Sequence, residues 1–155
     1  WSNAWRVNLW ARMADAEKSW DFAHRMLTDN CFDNMLSQFR PGKRKLFQIE
    51  ANFGLTSGVI EMLLQSQPES GAIGAPPVIR LLPALPKQWP AGKVTGLRAR
   101  GGFEVNIEWK DGALVSCSLL SLGHHTCKVR YGDWTETLTM EPAESRTIFA
   151  TGMEQ

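Results

Sequence analysis

Polar side chains occupy every second position in the short stretch 48–52, which reads QIEAN. In an extended backbone successive side chains point to opposite sides, so Gln48, Glu50 and Asn52 would form one row. The opposite row would be apolar and would consist of Phe47, Ile49, Ala51 and Phe53. An amide, a carboxylate and a second amide backed by apolar side chains can bind a polyol or position a water molecule. The same residues can also form an ordinary loop.

Each of these three polar residues has a plainer role that stays open on spacing alone. Glu50 by itself reads as a solvated loop carboxylate, or as an acid near the N-terminus of the following helix, where it interacts favourably with the helix dipole. Asn52 either binds substrate or water, or caps a helix that starts near Gly54. Gln48 is expected to hold loop backbone rather than a sugar.

Length and composition indicate an ordinary globular protein. The chain has 155 residues, with 43% hydrophobic and 21% charged residues, which suits one domain of usual size. A net charge of +1 gives no electrostatic argument for a nucleic-acid or membrane partner. No apolar run is long enough to span a bilayer, and no signal peptide is visible. Because the chain begins at Trp1 inside a predicted helix, we expect it to be the tail of a longer polypeptide.

The cysteine and histidine spacings predict neither a disulfide framework nor a metal site. Cys31, Cys117 and Cys127 are three in number, so at least one thiol is unpaired within the chain. If the strands around Cys117 and Cys127 form a hairpin with loop 121–123, the two thiols lie opposite each other and could approach disulfide distance. Two buried free thiols are favoured, since a one-residue change of register separates them. His124 and His125 have no second ligand pair nearby, and no zinc site is predicted.

The first half of the chain has helical patterns. The sequence predicts three helices, over residues 1–13, 16–27 and 55–65. Asp15 is the predicted N-cap of the second helix. Gly54 and Gly58, four residues apart, suit the close approach of another backbone. The first helix has polar residues at widely different angles and so no clean solvent face, and the third is apolar on most sides. Three helices cannot bury one another fully. We therefore expect further helices to be encoded upstream.

The second half has strand patterns. Residues 66–77, rich in Pro, Gly and Ser, predict a boundary. Beyond it come short β-rich runs separated by turn signals, which predict an antiparallel β-sandwich or open barrel. The run 103–109 alternates cleanly, with one apolar face formed by Phe103, Val105, Ile107 and Trp109. The predicted domains are thus a helical region, 1–67, and a β-sandwich region, 77–155.

Three stretches carry a resemblance to a known family. They are WSNAWRVNLWARMADAEKSW at 1–20, FQIEANFGLTSGVIEMLLQS at 47–66 and LLPALPKQWPAGKVTGLRARGGFEVNIEWKDG at 81–112. Together they resemble the C-terminal part of glycoside hydrolase family 95, which contains inverting α-L-fucosidases and some enzymes acting on α-L-galactosides. Three motifs in the correct order are more specific than a single short pattern. The later strands fit the family's terminal β-domain more loosely.

The resemblance implies a mixed α and β fold: the last helices of an (α/α)6 barrel followed by an antiparallel β-sandwich domain. It implies hydrolysis of α-L-fucosides by carboxylate, amide and water, with no metal and no cofactor. The implied partners are a fucosylated or related glycan and the upstream catalytic sequence of the same polypeptide, with no nucleic acid and no membrane. A secreted, periplasmic or cell-surface location is favoured, because family enzymes often act on exported or extracellular glycans.

The resemblance also assigns site residues. In the family the stretch usually reads Phe-Gln-Ile-Asp-Gly-Asn-Phe-Gly, and its acid polarises the attacking water. Glu50 takes the place of that catalytic acid, while Gln48 and Asn52 flank it as substrate-binding candidates. Trp1 begins the family's Trp-Ser motif and is a candidate for stacking on a sugar, although tryptophans at helical spacing more often pack in a core. Glu50 is one methylene longer than Asp, and misplacement by about 1 Å can cost roughly a hundredfold in rate.

The family's general acid and its histidine-rich sugar-binding motif belong to sequence upstream of this chain. The fragment alone is therefore predicted to be inactive. Two alternatives stay open: a non-catalytic carbohydrate-binding or scaffold module built on the β-region, and a degenerate family member whose altered QIEAN stretch reflects lost activity.

Overall fold

The computed structural model describes residues 1–39, 46–69 and 74–152. The chain forms two compact units. The helical unit comprises Trp1–Leu63 and Ala84–Pro86, and the strand unit comprises Leu64–Pro83 and Lys87–Gln155. The predicted boundary segment 66–77 includes residues 70–73, which lie outside the described ranges. Domain limits at 67 and 77 stay a prediction.

The described part of the helical unit contains three helices, α1 (Ser2–Arg12), α2 (Ala16–Asp29) and α3 (Ile49–Leu63). The predicted N-cap of α2 is confirmed, since Asp15 Oδ1 accepts a hydrogen bond from the Lys18 backbone N–H at 3.0 Å. Ser19 Oγ, inside α2, donates to the Val7 carbonyl of α1 at 3.0 Å. No helix within the described ranges is both long and apolar enough to cross a membrane.

The start of α3 corrects the sequence prediction. The helix begins at Ile49 rather than near Leu55 and ends at Leu63, so the stretch 49–52 is its first turn and is not extended. The physical reason is tertiary packing, because Ala51 is 2% exposed and packs with Ala4 and Met26. Five residues of alternating polarity cannot outweigh a helical face that must be buried.

Two glycines let α1 and α3 approach each other closely, as predicted. A Cβ atom on Gly54 would lie 2.9 Å from Ala4 Cβ, and one on Gly58 would lie 2.5 Å from Val7 Cγ1. Asn8 strengthens this contact, because its Nδ2 donates to the Gly54 carbonyl at 2.8 Å. The two helices therefore pack almost backbone to backbone.

The contacts also define the helix directions. Ala4 faces Gly54, Val7 faces Gly58, and Arg12 pairs with Glu61 at 3.7 Å, so residue numbers rise together and α1 and α3 are parallel. In α2 the order is reversed, since residue 19 bonds residue 7 whereas residue 30 bonds residue 3. The N-termini of α1 and α3 and the C-terminus of α2 consequently meet at one end of the unit.

Among the described residues, two short strands lie between α2 and α3. Strand β1 (Gln38–Phe39) pairs antiparallel with β2 (Leu46–Phe47), and an isolated bridge joins Cys31 to Ser37. Strand β2 ends two residues before the start of α3.

The strand unit contains two four-stranded sheets. Their strands are β3 (Leu64–Gln65), β4 (Val78–Leu81), β5 (Gly92–Ala99), β6 (Phe103–Lys110), β7 (Ala113–Ser121), β8 (His125–Tyr131), β9 (Trp134–Met140) and β10 (Ser145–Phe149), followed by a 3-10 turn at Ala150–Gly152. One sheet has the order β10-β7-β6-β5 and the other β3-β4-β8-β9. All pairs are antiparallel except β4 with β8, which the long intervening chain permits. The predicted β-sandwich is thus confirmed, with one parallel pair.

The core of the strand unit lies between the two sheets. The apolar face predicted for β6 is buried: Phe103, Val105 and Ile107 are at most 1% exposed. The Phe103 ring meets His125 of the other sheet edge-on, with ring centroids 5.9 Å apart. The Leu114 backbone N–H donates to the Tyr131 hydroxyl at 3.0 Å, again from one sheet to the other. These contacts show that the sheets pack face to face.

The hairpin that would set Cys117 opposite Cys127 does not form. Cys117 lies in β7, opposite Ile107 of β6 and Ile148 of β10. Cys127 lies in β8, opposite Leu138 of β9. The chain crosses from one sheet to the other between β7 and β8, so the two strands never pair. Both thiols are buried and free, which confirms the prediction favoured from the sequence.

We expect Gly58→Ala to destabilise the complete protein by about 1–3 kcal/mol through overpacking against Val7. Inside a helix alanine is otherwise favoured over glycine by roughly 1 kcal/mol, so Gly58→Ala would stabilise the protein if the two helices were further apart. The measurement is the thermal unfolding midpoint. The double variant Gly58→Ala with Val7→Ala should lose less stability than the two single variants lose together, because the smaller side chain at position 7 makes room for the new methyl group. A Gly58→Ala variant more stable than wild type would contradict the close contact.

The buried thiols should resist alkylation in the native protein. Burial raises the pKa of Cys117 to about 12 and that of Cys127 to about 11, and only the thiolate reacts. At pH 8, labelling with iodoacetamide should therefore be at least about 100-fold slower than in denaturant, as followed by peptide mass spectrometry. Half-buried Cys31 is the internal reference. Equal native and denatured rates at Cys117 would contradict the packed sandwich.

Candidate functional site

A polar cavity lies where the N-termini of α1 and α3 meet the C-terminus of α2. Its volume is about 230 Å³. The lining residues are Trp1, Ser2, Asn3, Met26, Asn30, Ser37, Gln38, Gln48 and Ala51. Six of these nine side chains carry an amide or a hydroxyl group. Neutral donors and acceptors around an aromatic ring suit the recognition of hydroxyl groups.

Gln48 lines this cavity and also holds the loop before it. Its backbone N–H donates to the Ser37 carbonyl at 3.3 Å, and its carbonyl accepts a hydrogen bond from the Ser37 hydroxyl. Its side-chain Oε1 accepts from the backbone nitrogen of Trp1 at 3.2 Å. The expected contact with loop backbone is made by the main chain, and the side chain joins the starts of α1 and α3.

Asn52 uses both ends of its amide to fasten the neighbouring loop to α3. Its Oδ1 accepts from the Ser37 backbone N–H at 2.8 Å, and its Nδ2 donates to the Met35 carbonyl at 2.9 Å. The expected cap near Gly54 does not form, because α3 has already begun at Ile49. Asn52 is not among the residues lining the cavity, and a direct role in binding substrate stays a prediction.

Glu50 lies in the first turn of α3 and is exposed. It makes no hydrogen bond or ion pair with any described residue, and it does not line the cavity. Its surroundings are unusual for a solvated carboxylate: Phe47, Ile49 and Phe53 are all exposed, Phe53 to 69%. Phe53 is one helical turn further along, on the same side as Glu50. The carboxylate thus stands within an apolar surface that this unit leaves uncovered.

Trp1 extends the apolar surface onto α1. Its ring is 53% exposed and stacks on Trp5, with centroids 5.8 Å apart and planes 25° apart. Leu9 and Met13 continue the stripe at four-residue spacing and are also exposed. Large exposed apolar patches mark surfaces that bind another protein surface, a membrane or a ligand.

The structure therefore brings Trp1 and Gln48 together at the cavity, with Glu50 and Asn52 at the same end of the unit but outside the lining. Sequence reasoning missed Asn3, Asn30 and Gln38. Their positions at helix ends could have indicated two of them, since Asn30 is the C-cap of α2 and Asn3 lies in the first turn of α1. Within the described part of the chain, no three His, Cys, Asp or Glu residues are grouped so that they could hold a metal ion.

Comparisons with known proteins agree with this architecture. Residues 1–63 match the glycosyl hydrolase family 95 catalytic domain, and residues 74–153 match the family's C-terminal domain. "Alpha-L-fucosidase 2" of Arabidopsis thaliana is 39% identical over 137 residues, which cover 78% of this chain and 14% of that protein. "Probable alpha-fucosidase A" of Aspergillus niger is 31% identical over 137 residues, covering 84% of this chain and 17% of the relative.

A third relative, "Probable alpha-fucosidase A" of Aspergillus oryzae, is 34% identical over 119 residues, or 74% of this chain and 16% of that protein. The chain thus spans 14–17% of the length of these curated relatives. Two consecutive family domains match in the expected order, one on the helical unit and one on the strand unit. From these matches we conclude that the chain belongs to glycoside hydrolase family 95.

Proposed function

We propose that this chain is the C-terminal part of an inverting glycoside hydrolase that acts on α-L-fucosides, and that it supplies the water-activating side of the active site. The names of the three relatives support the substrate class. The observation that carries the proposal is the position of Glu50. It is a carboxylate without a partner among the described residues, at the helix end next to an amide-lined cavity and inside an uncovered apolar surface.

Inversion needs two groups on opposite faces of the sugar. One carboxylic acid protonates the leaving oxygen, while a carboxylate takes a proton from the attacking water, and the two typically lie about 6.5–9.5 Å apart. Glu50 is assigned the second role, since a base must have its oxygens free to reach water. The proton donor belongs to the part of the polypeptide outside this chain. The isolated chain is therefore inactive.

The uncovered surface explains how the pocket is completed. Four large apolar side chains at and near the starts of α1 and α3 are exposed: Trp1, Trp5, Ile49 and Phe53. Burying a large apolar side chain contributes about 1.5–3 kcal/mol, so contact with upstream catalytic-domain helices of the same polypeptide is strongly favoured. Covering this surface also places Glu50 in a cleft with little bulk water. In such a cleft its interaction with a polarised water is stronger than on an open surface.

Substrate binding is assigned to the polar cavity at the same end of the helical unit. Trp1 offers a ring face to the C–H side of a pyranose, and Gln48 offers an amide. Asn52 contributes by holding the loop at Met35 and Ser37 against α3. The helical region 1–67 then carries the site, and the β-sandwich region 77–155 forms the terminal domain.

In the complete protein, Glu50→Gln should lower kcat for an aryl α-L-fucoside by about 10²–10⁴-fold, because a neutral amide cannot accept the proton of the attacking water. KM should change little, since Glu50 is assigned to the water rather than to the sugar. Release of the aryl group is the measurement. Asp21→Asn, at another exposed helical carboxylate, is the matched control and should leave kcat unchanged. Undiminished turnover in Glu50→Gln would remove Glu50 from the mechanism.

The stereochemistry of the first product is a separate check. Water activated on the face opposite the leaving group gives the β anomer of L-fucose before mutarotation. Proton NMR of the anomeric region in the first minutes of reaction distinguishes the two anomers. A first product with the α configuration would mean a covalent intermediate, and Glu50 would then not be a base acting on water in a single displacement.

A further inference from the structure

The strand unit contains an open cleft between the edge strands of its two sheets. Among the described strands, β9 ends one sheet and β10 ends the other. The cleft between them has a volume of about 310 Å³, which lies at the lower end of the range for small-molecule sites. Its walls include Trp134, Glu136 and Leu138 of β9, and Arg146 and Ile148 of β10.

Strand alternation places the polar and aromatic side chains of this cleft on the core-facing side of each strand. Trp134 and Glu136 share a face of β9 with Leu138, which is 6% exposed. Arg146 of β10 lies opposite Leu119 of β7, which is fully buried. Glu136 and Arg146 are nevertheless exposed, and Trp134 is half-buried. These three side chains therefore reach solvent at the open edge of the sandwich.

The charges of the cleft favour a neutral ligand. Arg146 Nε donates to Glu144 Oε1 at 2.7 Å. This hydrogen bond, and to a smaller extent the charge of Glu136, raises the pKa of Arg146. Two carboxylates thus accompany one guanidinium, which leaves no excess positive charge for an anion. The guanidinium repels a cation, and no group of His, Cys, Asp and Glu in the described part of the chain could hold a metal ion.

The groups that remain available match the two surfaces of a pyranose ring. The Trp134 indole N–H and the Glu136 carboxylate make no hydrogen bond with any described residue, and Arg146 retains its Nη donors. An indole ring can pack on the C–H side of a sugar, while a carboxylate accepts hydroxyl protons and N–H groups donate to hydroxyl oxygens. Core-facing charges by themselves also protect sheet edges from pairing. That protection requires neither an aromatic ring nor an open volume beside the charges.

We propose that the cleft between β9 and β10 binds one neutral pyranose unit of a glycan, as a sugar site additional to the one near Glu50. Trp134 stacks on the ring, Glu136 accepts from a hydroxyl, and Arg146 donates to one. The ligand class rests on the proposed function, and the unit bound is either a fucosyl group or a sugar of the chain that carries it. Such a site holds the enzyme on a polymeric substrate and raises the effective concentration of further fucosyl groups.

The test is affinity electrophoresis of the complete protein through gels that contain a soluble neutral polysaccharide bearing α-L-fucosyl groups. A second gel contains the same polysaccharide after removal of the fucosyl groups. Wild type should be retarded in the first gel, and retardation in both gels identifies a sugar of the main chain as the ligand. Trp134→Ala should weaken the apparent affinity at least about tenfold, because truncating an aromatic anchor removes most of its contact. Its kcat/KM on an aryl α-L-fucoside should match wild type.

Glu136→Gln is the second variant and keeps the shape of an exposed side chain, so its folding is not at risk. It should weaken retardation about three- to tenfold, since charge-assisted hydrogen bonds are roughly twice as strong as neutral ones. Leu122→Ala, at another exposed apolar residue of the strand unit, is the control and should change nothing. Wild-type retardation in both Trp134→Ala and Glu136→Gln, or no retardation of wild type in either gel, overturns the cleft as a sugar site. Retardation that depends on Trp134 in a protein that hydrolyses no fucoside overturns the proposed function alone.

Discussion

The close contact between α1 and α3 is the constraint on which the helical unit depends. Gly54 and Gly58 remove the side chains that would separate the two backbones, and Ala4 and Val7 fill the space that is left. Because the helices touch along their length, their register is determined, and with it the level at which each N-terminus ends. The amide-lined cavity exists because Trp1 and Gln48 arrive at the same level from two parallel helices.

The second feature of this unit is what it leaves uncovered. Its interior face is small, with Ala4, Met26 and Ala51 at the centre, while larger residues such as Trp5 and Phe53 project outward. In a complete protein of this size class the opposite distribution is usual, with large apolar side chains inside. Under the proposed function, Glu50 belongs to a site that other parts of the polypeptide complete, and the chain spans 14–17% of the length of its relatives. In that proposal function and folding are linked, since covering the surface would both stabilise the helices and enclose Glu50.

The strand unit has a different organisation, because its own sheets bury its core. Phe103, Val105 and Ile107 from one sheet face Cys127 and Val129 from the other, and all five are at most 1% exposed. No group in it takes part in the proposed chemistry. The sequence alternation in β6 predicted this burial directly, since every second residue of a strand faces one side. The sequence left open whether β7 and β8 pair, because a turn signal does not say whether the next strand stays in the same sheet or crosses to the other.

The sequence by itself determined the properties that follow from local patterns and family motifs. These are the mixed fold, the N-cap at Asp15, the close approach at Gly54 and Gly58, the inward face of β6 and membership of glycoside hydrolase family 95. Only the tertiary structure decided that Ile49–Asn52 is helical, that Asn52 binds the loop at Ser37, and that Asn30 and Gln38 share a cavity with Trp1. The physical reason is that these outcomes depend on contacts between residues far apart in sequence. The first turn of α3 is stabilised by Ala4 and Met26, and Asn52 is held by the backbone of Met35 and Ser37, none of which leaves a periodic signal in the chain.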